Sequence, residues 1–319
     1  MICTYNRCDS LALTLESLQR MIMPETVLWE ILVVDNNSTD RTREVAAGHR
    51  VRYLFEPNPG QTFAQNAGIK AANGDILVFL DDDVTVHPIW LDYLTRTMRK
   101  DKTLAGAGGR TMPVVRGYSL PRWLSIKEPY NSGGALAALF DLGDEPNRLE
   151  KPPYGANMAF RREMFEKYGL FRSDLGPSPN RDIPHPNNDT EFVRRLLNGG
   201  EELWYEPGAI VYHPLLRERM TKRYLLDWWF DFGRADVREW KLSHSKWLTV
   251  GKILLTITAP TILRWQLSPN PVKRFYMRCQ VWKTLGWISE LRRVTPGNHE
   301  QQCMAPTLER TKSESTRPH

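Results

Sequence analysis

A chain of 319 residues is long enough for one large core, or for a catalytic domain with an appendage. With 41% hydrophobic and 25% charged residues it has the composition of a folded soluble protein, which excludes a disordered chain, a collagen-like repeat and a multi-span membrane protein. The net charge of +6 conceals an asymmetry: residues 1–214 carry 24 basic and 28 acidic side chains, a balance of −4, while residues 215–293 carry 16 and 6, a balance of +10.

The first 90 residues alternate between strand and helix. Apolar residues at near-helical spacing predict a helix over 11–21, followed by Pro24. The run 29–34 is a short apolar strand ending at Asp35, as a buried parallel strand reads. Residues 36–40 supply turn and N-cap chemistry for a helix over 41–47, closed by Gly48. A strand over 51–55, a helix over 62–72 and a strand over 76–80 follow, and the last runs into Asp81-Asp82-Asp83. Such alternation with short loops predicts a mainly parallel sheet flanked by helices. Ligands on such sheets bind beyond the carboxyl ends of the strands, where Asp35 and Asp81–Asp83 both fall.

Residues 110–153, rich in Gly and Pro, read as a long irregular connection of the kind used for lids and binding loops. A strand over 154–160 and a helix over 162–168 come next, then a polar, Pro-rich loop over 176–188. Phe192, Val193, Leu196 and Leu197 mark the buried face of a helix over 189–197, and short strands are expected at 203–205 and 209–212. Beyond His213 a helix over 221–240 leads to a nearly continuous apolar run, 247–265. The polar residues 294–319 read as a disordered tail.

The triple aspartate is the sharpest local signal. Two carboxylates about 4 Å apart repel by roughly 4 kcal/mol at an effective dielectric of about 20. Three of them ending a buried strand call for a cation, and hard divalent ions take carboxylate and phosphate oxygens. A solvated acidic turn is the plain alternative. The segments Cys3-Thr4-Tyr5-Asn6-Arg7, Val33-Val34-Asp35-Asn36-Asn37-Ser38-Thr39-Asp40, Gly60 to Gly68, Gly74-Asp75 and Phe79-Leu80-Asp81-Asp82-Asp83 occur in this order. Together they resemble the nucleotide-binding half of family 2 inverting glycosyltransferases, and the segments 154–161 and 188–195 resemble the acceptor-side motifs of the same family. The resemblance covers residues 1–214 and implies the glycosyltransferase A fold, here with a C-terminal helical appendage.

Carried over position by position, the resemblance implies that Asp35 binds the nucleotide base with Thr4 and Tyr5 lining the pocket. It puts Asn66 among the nucleotide-sugar contacts and Asp82 at the ribose. It gives Asp81 and Asp83 to a Mn2+ or Mg2+ ion on the diphosphate, and makes Asp189 the base that deprotonates the acceptor hydroxyl. In some members a histidine 24 residues beyond the base completes the metal shell, and His213 stands at that distance. On the residues alone, Asp189 also reads as an N-cap, Asp35 as a turn residue and His213 as a satisfied strand-end histidine. Two departures stand out: only Met1-Ile2 precede Cys3, so a shortened first strand is expected, and the family's usual Glu before the base is Asn188.

Eight of the eleven tryptophans lie at or beyond Trp204, so the basic segment is aromatic as well. Basic and aromatic together suit an anionic membrane surface or nucleic acid, and aromatics interleaved with long aliphatic runs disfavour nucleic acid. Residues 247–265 approach a membrane span in length, but Lys252 and Arg264 make spanning expensive and favour a helix lying in the interface. A helical subdomain packed on the catalytic core is the alternative. Processive synthases of the family carry Q-x-x-R-W, whereas Thr261-Ile262-Leu263-Arg264-Trp265 lacks the Gln. The four cysteines are scattered and the chain opens without a basic, then apolar leader, so a reducing, cytoplasmic setting at the inner membrane face is expected. The expected function is metal-dependent, inverting transfer of one sugar from a UDP- or GDP-type donor to a glycan or lipid-linked acceptor. The alternative is a non-catalytic nucleotide-sugar or glycan-binding protein.

Overall fold

The computed structural model describes residues 1–177, 187–239 and 259–293. Its centre is a nine-stranded sheet with the order β3-β2-β1-β4-β8-β6-β9-β5, and β7 on β9. The first four strands along this path are β1 (Ile2–Thr4), β2 (Leu32–Asp35), β3 (Arg52–Phe55) and β4 (Ile76–Leu80). They pair in parallel, with Thr4 beside Asp35 and Ile2 beside both Val33 and Leu80. Short as it is, β1 holds the central position, and this register brings the carboxyl ends of β1, β2 and β4 to one edge.

The remaining strands are β5 (Thr85–Val86), β6 (Gly106–Val114), β7 (Asn147–Arg148), β8 (Asn157–Arg161) and β9 (Leu203–Pro214). β8 runs antiparallel to both β4 and β6, while β6 and β9 are parallel. The sheet is thus parallel in its first half and mixed in its second. Residues 110–114, expected to be irregular, continue β6, and the two short strands expected at 203–205 and 209–212 are one strand. Its register shifts between Gly109, opposite Glu206, and Arg110, opposite Ile210. Pro207 and Gly208, which lie between the two expected strands, sit in that bulge, where a proline costs no ladder bond.

β4 shows why the sheet is covered on both faces. Ile76, Val78 and Leu80 pack into one core with Leu11, Leu15, Trp90 and Leu94, whereas Leu77 and Phe79 enter another with Phe160, Phe165, Phe171 and Phe192. The period of two sends alternate side chains to opposite faces. The helices covering the sheet include α1 (Cys8–Gln19), α2 (Thr42–Ala47), α3 (Gln61–Ala71), α4 (Trp90–Lys100), α5 (Arg162–Tyr168) and α6 (Asn188–Asn198). All but the short α5 bury residues three or four apart, as Trp90, Leu94 and Met98 do in α4. Phe165 of α5 and Phe192 of α6 stack at 4.5 Å and 3°, and burying each ring contributes about 1.5–3 kcal/mol.

The C-terminal part contains α7 (Lys222–Glu239), α8 (Ala259–Leu267) and α9 (Pro271–Arg293). Leu225 and Leu226 of α7 and Phe275 and Cys279 of α9 share a core with Leu124, Leu136 and Leu215, and Trp123, Trp228, Trp229 and Trp282 pack against it. The aromatic residues of the basic segment therefore pack α7 and α9 onto the segment between β6 and β7. Among the described residues no helix is long and apolar enough to cross a membrane. Most of the apolar run 247–265, most of the loop 176–188 and the tail 294–319 lie outside the described residues.

α7 and α9 meet at two glycines. A Cβ on Gly286 would fall on the Phe230 carbonyl oxygen, and one on Gly233 on that of Lys283. A buried polar network flanks the crossing: Glu290 accepts from Arg234 at 3.1 Å and Arg238 at 2.6 Å, and Asp236 pairs with Lys283 at 2.8 Å. Gly286→Ala is expected to lower stability by about 1–3 kcal/mol through overpacking, despite alanine's better helix propensity. Denaturant unfolding checks this, and an unchanged or raised midpoint would show that the helices can separate without cost.

Candidate active site

The carboxyl ends of β1 and β4 open into a cleft of about 630 Å³. It is lined from the N-terminal half by Thr4, Tyr5, Arg7, Asn36, Gln61 and Gln65, and at its centre by Asp81, Asp82 and Asp83. Tyr154, Gly155, Asp189, His213, Arg219, Tyr224 and Trp228 line it from the rest of the chain. The residues expected at the metal and the expected base, from segments more than a hundred positions apart, thus share one cavity.

Asp81, Asp83 and His213 each present one ligand atom, and all three atoms lie within 4.8 Å of one another. His213 Nε2 stands 3.5 Å from Asp83 Oδ1 and 3.9 Å from Asp81 Oδ2. The other ring nitrogen, Nδ1, lies 3.1 Å from the Pro214 carbonyl oxygen, which can only accept, so the proton belongs on Nδ1. Burial also lowers the imidazole's pKa and favours the neutral ring. Its bare Nε2 lone pair then faces two carboxylates. Three potential ligand atoms converge, an arrangement that a cation stabilises. Around an ion with bonds of about 2.0–2.1 Å, adjacent octahedral ligands stand about 3 Å apart and opposite ones about 4.2 Å, a range that contains the 3.5 and 3.9 Å separations.

The charges agree. Burial, followed by repulsion from Asp83, Asp82 and Asp189, pushes the Asp81 carboxyl well above the usual carboxylate range. Burial likewise raises Asp82, against the opposing pull of Arg7. Arg7 Nη1 donates to Asp82 Oδ1 at 3.0 Å and Asp83 Oδ2 at 2.8 Å. One guanidinium thus offsets part of the charge of three aspartates and fixes the Asp83 oxygen that does not face His213.

Asp189 begins α6 and is buried. Its Oδ2 accepts the Gly155 N–H at 2.6 Å and its Oδ1 the Thr190 N–H at 2.7 Å. Gly155 is required there, since a Cβ would stand 2.8 Å from Asp189 Oδ2. The neighbouring Asn157 anchors this turn by donating to the Arg110 and Ala209 carbonyls at 2.9 and 2.8 Å and accepting the Trp90 indole N–H at 2.8 Å. Burial raises the pKa of Asp189 despite the two amides, which suits a group that must take up a proton. The Asp189 side chain is oriented by the Gly155 amide as well as by the first turn of its own helix.

Two expected contacts stand elsewhere. The Asn66 amide donates to the Phe171 carbonyl at 2.9 Å and accepts its N–H at 3.1 Å, so Asn66 pins the loop after α5 and does not line the cleft. Gln61 and Gln65, four apart on α3, occupy the cleft face, and Gln65 accepts from Asn188 at 2.6 Å. Asp35 is buried just behind the cleft, its oxygens accepting the Ser38 N–H at 2.9 Å and the Tyr53 hydroxyl at 2.7 Å. The adjacent Asn36 reaches the cleft. The sequence assigns no role to Arg7 or Arg219, although Arg7 stands in the Cys3–Arg7 segment, where a cation near a phosphate site is a usable signal. Arg219, Tyr224 and Trp228 carry no such signal, because they belong to the C-terminal helical segment.

The chain is 28% identical over 246 residues to the succinoglycan biosynthesis protein ExoM of Rhizobium meliloti, covering 74% of this chain and 73% of that one. It is 25% identical over 268 residues to glycosyltransferase AglE of Haloferax volcanii, covering 79% of each. Among solved structures it resembles the mannosyltransferase PcManGT of Pyrobaculum calidifontis in complex with GDP-Man and Mn2+, with a TM-score of 0.59 and 16% identity over 92% of this chain and 86% of that one. That likeness concerns the fold, which is the glycosyltransferase A type. The sequence model of glycosyl transferase family 2 matches residues 1–169. With the aspartates of β4 facing Asp189 across one cleft and more than half its length matched, the chain belongs to glycosyl transferase family 2.

Proposed function

We propose that this glycosyltransferase moves a single sugar from a UDP- or GDP-type donor to the hydroxyl of a glycan or lipid-linked acceptor, with inversion and with Mn2+ or Mg2+ as cofactor. The observation that carries the reading is the convergence of Asp81, Asp83 and His213 Nε2 in the cleft that also holds Asp189. A bound cation supplies Lewis-acid neutralisation of the departing diphosphate. Asp189 takes the proton from the acceptor O–H as that oxygen forms its bond to the anomeric carbon. The bond from that carbon to the donor's phosphate oxygen breaks, and the nucleoside diphosphate leaves with the electron pair. One displacement inverts the centre, and the enzyme needs no nucleophile of its own.

Arg7 and Arg219 add positive charge on the cleft lining, where the diphosphate departs. Thr4, Tyr5, Asp82 and Asn36 are the nucleotide-side contacts, with Asn36 held by the Glu56 and Asn58 carbonyls and the Gly60 N–H. GDP-Man and Mn2+ in PcManGT, and the polysaccharide named for ExoM, support the donor and pathway class. The balance of +10 over residues 215–293 supports an anionic surface at the cytoplasmic face of the membrane as the place of work. A panel of UDP- and GDP-sugars with Mn2+ or Mg2+ is expected to give nucleoside diphosphate release with one donor, abolished by EDTA, and a product of inverted configuration by NMR. Donor binding by calorimetry without turnover for every sugar would favour the non-catalytic reading.

A further inference from the structure

One buried acid grips α6 from outside the cleft. Glu239, the last residue of α7, pairs through one oxygen with Arg194, and its other oxygen accepts from Asn187 Nδ2 at 3.0 Å. Asn187 directly precedes α6, and its carbonyl accepts the Glu191 N–H at 2.8 Å in the first turn. Asn187 and Arg194 are seven positions apart, close to two full turns, so they share one face of the helix. Asp189, two positions on from Asn187, projects about 200° away from that face. The cleft lining accordingly includes Asp189 but not Asn187, Arg194 or Glu239. We infer that Glu239 is a positioning residue: through Asn187 and Arg194 it sets where α6 begins, and so where the Asp189 carboxylate meets the Gly155 amide. The inference rests on the transferase reading above, in which Asp189 is the base, and names a residue that serves it.

The end of α7 is well placed for that role. The Glu239 side chain is 4% exposed, so its carboxylate is shielded from solvent although Arg194 is 43% exposed. An ion pair exposed on both sides would orient little, whereas a buried carboxylate with two donors is held by both. Arg238, the preceding residue, binds Glu290 of α9 at 2.6 Å. Arg172, from the loop after α5, donates to the Arg238 carbonyl at 3.5 Å and stands 4.0 Å from Glu191 of α6. The acid is thus anchored by α9 on one side and by the loop after α5 on the other. Burial pushes the Glu239 carboxyl above its usual range, and Arg194 opposes this by favouring the charged form. Removing the carboxylate takes an acceptor from the buried Asn187 amide and a partner from Arg194, freeing the first turns of α6 to drift. A drift of about 1 Å at a reacting group costs about 10²-fold in rate.

The Gly155 N–H reports the Asp189 carboxylate directly, because it donates to Oδ2 at 2.6 Å. The sequence holds two Tyr-Gly pairs, Tyr154-Gly155 and Tyr168-Gly169. The full chain labelled with 13C-carbonyl tyrosine and 15N-glycine therefore shows two amide peaks in a carbonyl-to-nitrogen NMR spectrum. Asp189→Asn identifies Gly155 as the peak it displaces, since it weakens that charge-assisted bond. The measurement uses no nucleotide, cation or acceptor. In Glu239→Ala the Gly155 peak is expected to move in the direction set by Asp189→Asn, with Gly169 nearly still. Glu239→Gln keeps the shape and one acceptor oxygen, and is expected to move Gly155 less. With a donor that turns over, kcat of Glu239→Ala should fall about 10- to 10²-fold while the donor KM stays within about threefold. The inference is overturned if folded Glu239→Ala leaves the Gly155 peak in place, or moves Gly155 and Gly169 alike, which marks general loosening. Circular dichroism checks folding, and if Glu239→Ala does not fold, Glu239→Gln is judged by the same two criteria. A displaced Gly155 peak in a protein that turns over no donor would leave this role of Glu239 standing and sink the transferase reading instead.

Discussion

Asp83→Ala is expected to lower turnover about 10³-fold and to abolish the stabilisation of the protein by Mn2+. Asp83 is the residue on which both charge-balancing devices converge, with one oxygen 3.5 Å from His213 Nε2 and the other 2.8 Å from Arg7. Its loss removes an anionic ligand from a site that otherwise offers one carboxylate and one neutral imidazole. Lewis-acid stabilisation of a leaving group is worth several kcal/mol, and each 1.4 kcal/mol is about tenfold in rate. Thermal unfolding supplies a second signature of opposite sign. In EDTA the substitution removes a neighbour that repels Asp81, so the melting temperature should stay level or rise. In Mn2+ the wild type should gain stability as RT ln(1 + [Mn2+]/Kd), and the variant should not. His213→Ala should follow with a smaller loss, because the ligand removed is uncharged. Equal Mn2+-induced shifts in wild type and Asp83→Ala would show that these residues hold no ion.

What the sequence made legible was what physical periodicity and charge can encode locally. β4 was read to its last residue because five apolar side chains stop at an aspartate, and α5 because Gly169 ends it with a positive φ of 79°. No strand is read over 106–109, and 110–114 read as irregular, so β6 is not legible, for an equally physical reason. A Cβ at Gly106 would stand 2.6 Å from the Ala159 carbonyl oxygen, and one at Gly109 would strike Asn157. Tight packing there demands glycine, and glycine erases the β-branched, alternating pattern by which a strand is recognised. Asn66 shows the limit of carrying roles over by motif: one position past Gln65 is about 100° around the helix, enough to turn a cleft residue into a loop anchor.

The C-terminal segment was the largest gap. Its charge and tryptophans were visible, but composition does not say which neighbour an aromatic face meets. In the fold, Trp228 and Tyr224 line the cleft while the far end of the same helix reaches the base helix, where Glu239 pairs with Arg194 and accepts from Asn187 at 3.0 Å. α7 therefore spans from the cleft lining to the element that carries Asp189. Only long-range contacts create that link, and no local pattern announces it.

Asp189→Asn separates a catalytic base from a structural cap. Loss of a general base costs about 10²- to 10⁴-fold, and the loss should sit in kcat, since the group acts on the acceptor proton during displacement. Stability is pulled both ways. Burial raises the Asp189 pKa, so the folded state holds its ionised form at a cost at every pH above the ordinary carboxylate value, and the neutral amide removes that cost. Against this, asparagine has one acceptor oxygen where the carboxylate serves the Gly155 and Thr190 amides, and an orphaned buried N–H costs about 1–3 kcal/mol. These contributions oppose each other, so the melting temperature should move by only a few degrees while kcat collapses. Because the base works only when deprotonated, wild-type kcat should fall as pH drops through its raised pKa, and that acid limb should vanish from the residual rate of the variant. A variant that keeps its kcat, or that loses activity only in proportion to lost folding, would return Asp189 to the role of a helix cap.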